Sequence, residues 1–423
     1  MATATRSAAA EQLSYEDLYA RWEQGNWSAT ELDFSQDRED WHNEFSELER
    51  KAALWNYAMF FHGEDSVTDN LSPFIDAAPL EEQKYFLATQ QVDEARHAVF
   101  FGRFMREVIE AGDDIASSLD ATKPELTWGF RKVFEQLDRT ADQLRRDRSK
   151  PMLASAVALY HIVVEATLAQ PGQHFIEDYL EERSLLPGFF EGMRNVSRDE
   201  QRHIGFGVKL LSDLIAEDPE CKDAVIDMLR DVGTRSTGVF VPPNWDMRYV
   251  ECFGSTLLDV YSDGLVSLES KLRAAGFTDE DLAASAAVPW ELPVRERAAR
   301  TLAMLRANYL GEKLGPPARD PESIGMLFDS VRRAADPRAE LKGPVTFQWD
   351  FADTEPWYVV VNNGDRSARQ GHADKPDITF RCRFEDWVDI AAGREEPQKA
   401  VLKRKLRLRG NPRVLWRTRN LFR

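Results

Sequence analysis

The sequence has few of the residues on which several classes of protein depend. Only three of its 423 residues are cysteine, and Cys221, Cys252 and Cys382 lie far apart. Their number and spacing argue against a disulfide framework and against a cysteine-based zinc site. We therefore expect a reducing, cytoplasmic environment. The formal net charge of −18 argues against general nucleic-acid binding, because phosphate neutralisation requires clustered lysine and arginine.

Long apolar segments are also scarce. No apolar run approaches the roughly 20 residues that cross a bilayer. The first residues, MATATRSAAAEQ, lack the basic and then apolar pattern of a secretory signal. The sequence therefore predicts no transmembrane segment.

The composition divides the chain into a long helical part and a smaller mixed part. Apolar residues recur at helical spacing from about residue 40 to residue 310, and GPPARDPES (315–323) has the composition of a linker. Beyond it, PVTFQWDFA, WYVVVNNGD, DITFRCRF and KLRLRG predict strands, and FEDWVDIAAG predicts a helix. We predict an N-terminal extension (1–40), a helical domain (41–314) and a C-terminal α+β domain (319–423). The predicted fold class is mainly α.

Two of the predicted helices repeat the motif Asp-Glu-x-x-His. VDEARHAVFFGRFM contains Glu94 and His97, and SRDEQRHIGFGVKLL contains Glu200 and His203. Residues three apart share one face of a helix, so each motif presents a carboxylate and an imidazole together. Two such helices supply half of a dinuclear metal site in a four-helix bundle, and two further helices supply one glutamate each.

Glu64 and Glu165 are the candidates for those further glutamates. They lie 30 and 35 residues before the two motif glutamates, intervals that fit helical hairpins. Glu165 stands in the apolar run HIVVEATLA, where a carboxylate is costly to bury unless it is paired or metal-bound. Carboxylates with one imidazole per ion suit iron or manganese. The alternative for each motif is a solvated helix face, and Asp65 and Asp69 leave the choice of Glu64 open.

Three further features lie next to these residues. Asp93 and Asp199 precede the motif glutamates, and we predict that they accept a hydrogen bond from the histidine Nδ1–H and fix its tautomer; the alternative is a pair of surface carboxylates. We expect His161 to be a core histidine rather than a ligand. Pro171-Gly172 either opens a pocket beside the metals or ends the helix.

The order Glu, Glu-x-x-His, Glu, Glu-x-x-His resembles the ferritin-like small subunit of ribonucleotide reductase. Within that superfamily the chain looks most like the R2-like ligand-binding oxidases, which RWEQGNWSATELDFSQDREDW (21–41) also resembles. The resemblance implies a ferritin-like four-helix-bundle core with extra helices, a pocket for a long-chain fatty acid, and a Mn/Fe or di-iron cofactor. The implied ligands are Glu64, Glu94, His97, Glu165, Glu200 and His203.

Tyr160 is the catalytic residue that this resemblance implies. The ligand-binding oxidases have a tyrosine five residues before the third carboxylate, joined by an ether bond to a valine two residues after the first. Tyr160 matches the tyrosine, but Ser66 replaces the valine and Val67 lies one residue further along. A reductase subunit usually has its radical tyrosine where this chain has Phe101. We expect no crosslink, and the alternative for Tyr160 is a packed core aromatic.

The C-terminal residues KPDITFRCRFEDWVDIAAGREEPQKAVLKRKLRLRGNPRVLWRTRNLF (375–422) are similar to the sterol carrier protein 2 family, notably at Pro397, Gln398, Lys399 and Ala400 and at 405–410. The similarity implies a small sheet with helices over an apolar tunnel for acyl chains or sterols. Residues 399–423 contain ten lysines or arginines and no acidic residue. Three interpretations of this basic tail are open: it contacts anionic lipid headgroups, it contacts the acidic helical domain, or it is a solvated basic edge.

The leading hypothesis is an O₂-activating oxidase or oxygenase. Its cofactor would be two metal ions, Fe with Mn or Fe with Fe, and O₂ would be the co-substrate. Its substrate would be a long-chain fatty acid or similar lipid. The alternatives are a radical-generating ribonucleotide reductase-type subunit and a lipid carrier with a non-catalytic metal site. We also expect a homodimer, an electron donor as partner, and no nucleic-acid partner.

Overall fold

The protein is described by a computed structural model over residues 13–285, 289–418 and 421–422. The chain separates into two compact units. The first unit comprises Met1–Val225 and Phe240–Phe277, and the second comprises Ile226–Val239 and Thr278–Arg423. The domain boundaries that we derived from composition stay predictions.

The first unit is helical, as the sequence predicts. Its α-helices are α1 (Tyr15–Gln24), α2 (Ser35–Asn43), α3 (Glu47–Asn70), α4 (Ser72–Ala77), α5 (Glu81–Phe104), α6 (Ile115–Thr122), α7 (Trp128–Leu144), α8 (Lys150–Val157), α9 (Gln170–Arg183), α10 (Pro187–Glu217), α11 (Glu220–Ser236), α12 (Arg248–Glu251) and α13 (Leu257–Ala274). The part of α11 from Ile226 onward belongs to the second unit. Two π-helices, Met105–Ile109 and Ala158–Ala169, continue α5 and α8. Short 3₁₀ turns occupy Lys123–Glu125 and Pro243–Trp245.

Four of these helices form the bundle at the centre of the unit. They are α3, α5, the second π-helix and α10; α3 packs along α5, and α10 packs along the π-helix and contacts α5. The apolar faces of α3, α5 and α10 meet in a core that includes the buried rings of Tyr57, Phe101, Phe104 and Phe189. The rings of Phe104 and Phe189 have centroids 4.1 Å apart. Burial of these large side chains is the main force that holds the helices in register.

The helix that precedes α10 is continuous across Pro171. The backbone N–H of Gln170 donates to the carbonyl of Glu165, five residues earlier, which is the wider π spacing. Pro171 follows as the second residue of α9, so the helix passes through the proline without ending. Of the two alternatives for Pro171-Gly172, the helix end is therefore wrong.

The same continuous segment, residues 150–183, is the one described helix that is long and apolar enough to cross a membrane. The sequence analysis did not anticipate such a length, because it treated the segment as interrupted at Pro171. Most of the apolar window is buried inside the structure, as in the core helix of a soluble bundle, so this finding is weak evidence for a membrane span.

The N-terminus of α10 is held by carboxylates of α2. Asp37 accepts hydrogen bonds from the backbone N–H groups of Gly188 and Phe189, at 2.9 and 2.6 Å, and Asp40 accepts one from Leu186 at 2.9 Å. Negative groups stabilise this positive end of a helix. A β-carbon on Gly188 would lie 2.2 Å from the carbonyl oxygen of Asp33, so glycine permits this close approach.

The second unit is an α+β assembly. Its helices are the end of α11, α14 (Asp279–Ser285), α15 (Val294–Arg306), α16 (Pro321–Ala334), α17 (Phe384–Ala391), α18 (Pro397–Leu402) and α19 (Pro412–Arg417). Its strands are β1 (Val345–Phe351), β2 (Trp357–Asn362), β3 (Asp365–Gln370), β4 (Ile378–Cys382) and β5 (Arg407–Gly410). The sheet order is β3-β2-β1-β4-β5. Strands β1 and β4 run parallel, and the other neighbours run antiparallel.

Four of the five strands were predicted from the sequence, and β3 was not. Its residues, DRSARQ, are polar and carry no strand-like alternation, but they complete an edge by pairing with β2. One face of the sheet buries Trp349 against Phe380 and Trp387, each with ring centroids 5.1 Å away. Phe328 of α16 stacks on Trp357 at 4.7 Å.

Candidate metal centre

Six acidic and histidine side chains converge inside the four-helix bundle. They form two groups, Glu64–Glu94–His97–Glu200 and Glu94–Glu165–His203, and within each group the potential ligand atoms lie within 4.8 Å of one another. All six side chains are buried. They are the six that the sequence analysis selected, and neither Asp65 nor Asp69 belongs to the clusters. Glu94 belongs to both groups.

The first group is arranged around the imidazole of His97. Its Nδ1 lies 3.3 Å from Glu64 Oε2, 3.4 Å from Glu94 Oε2 and 3.5 Å from Glu200 Oε1. Glu64 projects from α3, His97 and Glu94 from adjacent turns of α5, and Glu200 from α10. One imidazole nitrogen and three carboxylates therefore face a common point.

The second group repeats this arrangement around His203. Its Nδ1 lies 3.1 Å from Glu94 Oε1, 3.7 Å from Glu200 Oε1 and 3.8 Å from Glu165 Oε1. Glu94 thus directs one carboxylate oxygen toward each imidazole, and Glu200 Oε1 is near both. These two glutamates have the positions that bridging ligands would need.

The aspartate of each motif contacts the histidine of the other motif, on the neighbouring helix. Asp199 Oδ2 lies 3.2 Å from His97 Nε2, and Asp93 Oδ2 lies 3.1 Å from His203 Nε2. Both aspartates are buried, so the surface alternative is wrong. The predicted nitrogen was also wrong: each imidazole turns Nδ1 toward the carboxylate cluster, which leaves Nε2 for the aspartate. Such contacts fix the tautomer and the ring orientation.

Two arginines and two tryptophans complete the surroundings of these aspartates. Arg202 contacts both Asp93 and Asp199, at 3.0 and 2.7 Å, and Arg96 lies 3.0 Å from Asp93. The indole N–H of Trp22 donates to Asp93 at 2.9 Å, and that of Trp27 donates to Asp199 at 2.8 Å. Trp27 also stacks on the ring of His97, with centroids 6.2 Å apart.

Gln90 connects the second group to Tyr160. Its side-chain amide donates to Glu165 Oε1 at 2.9 Å and to the hydroxyl of Tyr160 at 3.1 Å. Its carbonyl oxygen lies 3.1 Å from His161 Nε2. The Tyr160 hydroxyl in turn donates to Glu94 Oε1 at 2.6 Å. His161 is therefore a buried partner of Gln90 and lies outside both clusters, in agreement with the expected core position.

Tyr160 lies at the cluster. The crosslink position, Ser66, and the radical position, Phe101, differ from the valine and the tyrosine found in the families that the chain resembles. The carbonyl of Ser66 accepts a hydrogen bond from Asn70 at 2.9 Å. Phe101 is fully buried and stacks on Phe60 at 5.8 Å. Ser66 therefore lacks the tertiary carbon of valine, and Phe101 lacks the phenol of tyrosine.

Burial and mutual charge shift the titration of the cluster. Burial raises the pKa of Glu165 well above its usual value, and the charge of Glu200 raises it further. Burial lowers the pKa of His97, but the charge of Glu64 together with hydrogen bonds to Asp199, Glu64 and Glu94 outweighs it, so the net pKa is raised. For Tyr160, burial and the charge of Glu165 both raise the pKa, so the phenol is protonated.

The cluster fits a pair of divalent cations by charge and by its free donor atoms. Glu165 Oε2 and Glu200 Oε2 are buried without a hydrogen-bond partner among the described residues. Metal binding requires ionised carboxylates and neutral imidazoles, and in that state the two guanidinium groups, which contact the two aspartates, offset two of the six carboxylate charges of the glutamates and aspartates. The remaining four negative charges equal the charge of two divalent ions, and burying them without a counter-charge would be costly. Oxygen-rich ligands with one imidazole per ion suit iron and manganese.

Three of the surrounding residues were missed by the sequence analysis. Gln90 precedes Glu94 by one turn on the same face of α5, so helical spacing could have identified it. Trp22 and Trp27 carry no comparable signal, because they reach the site from α1 and the following loop through tertiary packing.

Comparisons with known proteins agree with this geometry. Residues 10–234 match the family described as "Ribonucleotide reductase, small chain", and residues 328–423 match the SCP-2 sterol transfer family. Among similar solved structures is the R2-like ligand-binding oxidase from Sulfolobus acidocaldarius, 24% identical, which covers 62% of this chain and 89% of that chain at a TM-score of 0.53. A variant of an R2-like ligand-binding oxidase with aerobically reconstituted Mn/Fe cofactor is 23% identical and covers 63% of this chain and 94% of that chain, at a TM-score of 0.53. The predicted ferritin-like bundle and sterol-carrier-like domain are thus confirmed.

Proposed function

The chain belongs to the ribonucleotide reductase small-chain family, and we propose that within it this protein is an O₂-activating oxidase or oxygenase with a dinuclear metal cofactor. The observation that carries the proposal is the pair of buried clusters that share Glu94. Structural relatives with a reconstituted Mn/Fe cofactor support iron with manganese as the metals, and iron with iron is the alternative.

Two bound ions would supply electrons for the reduction of O₂ and the oxidising power for a nearby C–H bond. The protein's part is orientation and proton placement. Asp93 and Asp199 hold the imidazoles with Nδ1 toward the cluster, and Gln90 fixes Glu165. The Tyr160 hydroxyl directs its proton at Glu94 Oε1, so this phenol is a candidate for oxidation.

The substrate that we propose is a long-chain fatty acid or similar lipid. The match of residues 328–423 to a sterol transfer family supports a lipid ligand, and the names of the structural relatives include ligand binding. An electron donor, a homodimer and a cytoplasmic location stay predictions. Organic extraction of the purified protein followed by mass spectrometry tests the substrate class; recovery of no acyl chain or sterol would count against it.

Metal loading tests the site itself. The protein is loaded anaerobically with Fe(II) and Mn(II), its metal content is measured by elemental analysis, and O₂ uptake and the optical spectrum are then followed. We expect about two ions per chain and uptake of O₂. Glu165→Ala should lose most of the metal, because no neighbouring carboxylate can replace it. Glu177→Ala is the matched control, since Glu177 bonds to Ser197 outside the clusters.

The same experiment separates the alternatives. A lipid carrier with a non-catalytic metal site would bind metal but consume no O₂. A reductase-type subunit would keep a stable tyrosyl radical after reaction with O₂, a reading that Phe101 disfavours. Full metal content in Glu165→Ala would show that the ligand assignment is wrong.

A further inference from the structure

The end of α18 presents two aliphatic side chains to solvent. Leu402 is 82% exposed and Val401 is 41% exposed. Leu402 is the most exposed large apolar side chain in the part of the chain that the structure describes. A single exposed leucine needs no explanation, but this pair stands inside the most basic stretch of the sequence.

This pair is held by an ordered turn and not by a frayed end. Ala400 is fully buried beside Leu406, and its carbonyl accepts hydrogen bonds from the backbone N–H groups of Lys405 and Leu406, at 2.9 and 3.2 Å. Arg404 takes a left-handed conformation with φ of 60°, which closes the helix end. The turn therefore projects Leu402 outward on a fixed base.

Cations surround the two aliphatic side chains. Lys399 and Lys403 pair with Glu396 and Glu395, at 3.0 and 2.7 Å. Beyond them the chain has further exposed cations, Arg404, Arg407, Arg409 and Arg413. None of these four arginines pairs with an acidic group among the described residues.

Two of these arginines are aligned on the edge strand. Arg407 and Arg409 alternate with Leu408, which packs into the sheet core, so both guanidinium groups lie on the opposite face. Arg381 of β4 lies opposite Arg407 on that face, where it pairs with Asp350 at 3.2 Å. Trp416 of α19, also in the basic tail, is 67% exposed.

We propose that the α18 turn and the β5 edge form a docking surface for anionic lipid bilayers. The apolar tips of Leu402 and Val401 enter the headgroup region, while the arginines meet lipid phosphates. An exposed aliphatic pair distinguishes this surface from one built for nucleic acid, which is bound through phosphate contacts and stacking. The remainder of the chain, which is acidic, is repelled by such a membrane, so the contact would be confined to this edge.

The proposal is tested with the full-length protein and lipid vesicles in a sedimentation assay. We expect binding to vesicles of equal parts phosphatidylcholine and phosphatidylglycerol, no binding to phosphatidylcholine alone, and weaker binding as salt is raised. Leu402→Asp should lower the affinity about tenfold. Leu80→Asp, at a residue 48% exposed in the helical unit, is the matched control and should leave it unchanged.

The charge contribution is tested separately. Replacing Arg404, Arg407 and Arg409 by Glu should weaken binding by at least about a hundredfold, since each lost cation contributes about 1 kcal/mol near an anionic surface and the three new carboxylates are repelled. Arg145→Glu with Arg146→Glu repeats the change of sign at exposed sites in the helical unit. Unaltered far-ultraviolet circular dichroism shows that each variant is folded.

Several outcomes of the vesicle assays would each overturn the proposal. They are the absence of binding to anionic vesicles at low salt, equal binding to both vesicle types, and equal losses in the two leucine variants. Binding that depends on the arginines but not on Leu402 would show an anion-binding surface of another kind, and the bilayer proposal would be wrong. None of these outcomes bears on the metal site, so the proposed oxidase function is tested independently.

Discussion

Replacement of Gln90 by Leu is the sharpest perturbation of the centre that leaves every proposed ligand in place. Gln90 is fully buried, and leucine has a similar volume. The variant removes the bonds to Glu165, Tyr160 and His161. His161 Nδ1 already lacks a hydrogen-bond partner among the described residues, so the ring would then have no bond at either nitrogen.

The expected loss of stability follows from the groups left unpaired. His161 Nε2 and Glu165 Oε1 each lose a buried partner, at about 1–3 kcal/mol per group. We therefore expect the free energy of unfolding of the helical unit to fall by about 2–6 kcal/mol. Glu165 also loses the bond that orients it, so metal affinity should fall about 10–100-fold.

The assay is chemical unfolding followed by far-ultraviolet circular dichroism, together with a metal titration. Gln173→Leu is the matched control. Gln173 is also buried, but its side-chain amide nitrogen has no hydrogen-bond partner among the described residues, so its loss should cost little. Equal stability and equal metal affinity in the two variants would refute the role that we assign to Gln90.

Three further predictions concern other parts of the helical unit. After aerobic loading with iron, mass spectrometry should find no crosslinked peptide that contains Tyr160, because Ser66 lacks the tertiary carbon of valine; a joined peptide pair would contradict this. Asp37→Ala should lower the free energy of unfolding by about 3 kcal/mol, since two buried amides of α10 lose a charged acceptor, and denaturant melts measure it. Gly207→Ala should cost about 1–3 kcal/mol, because a β-carbon there would lie 2.2 Å from the β-carbon of the histidine on the π-helix; Gly233→Ala, with open space around it, should be neutral or stabilising.

The six clustered side chains could be predicted from the sequence because helical periodicity fixes which side chains share a face. Glu94 with His97, and Glu200 with His203, follow from a three-residue spacing. Glu165 follows from the cost of a carboxylate in an apolar run. These arguments use residues that are close in the sequence. They require only the length of each helix and the depth of each residue within the bundle.

The parts that could not be predicted depend on tertiary contacts or on backbone register. The pairing of Asp93 with His203 crosses between helices, and the indole of Trp22 arrives from the N-terminal segment. The π-helix is invisible to a periodicity argument, because Ala158–Ala169 is apolar on nearly every side and so shows no period. Strand β3 was missed because its place at a polar edge is fixed by its partner strand.

Because each motif's aspartate contacts the histidine of the other motif, the centre can form only late in folding. Asp93 and His203 are separated by 110 residues, and His97 and Asp199 by 102. Neither half of the centre can be oriented until α5 and α10 have docked in register. A partly folded chain therefore offers metals only loose, flexible carboxylates. For the proposed dinuclear cofactor, the choice of ions would therefore be a property of the completed fold, made only after α5 and α10 have docked.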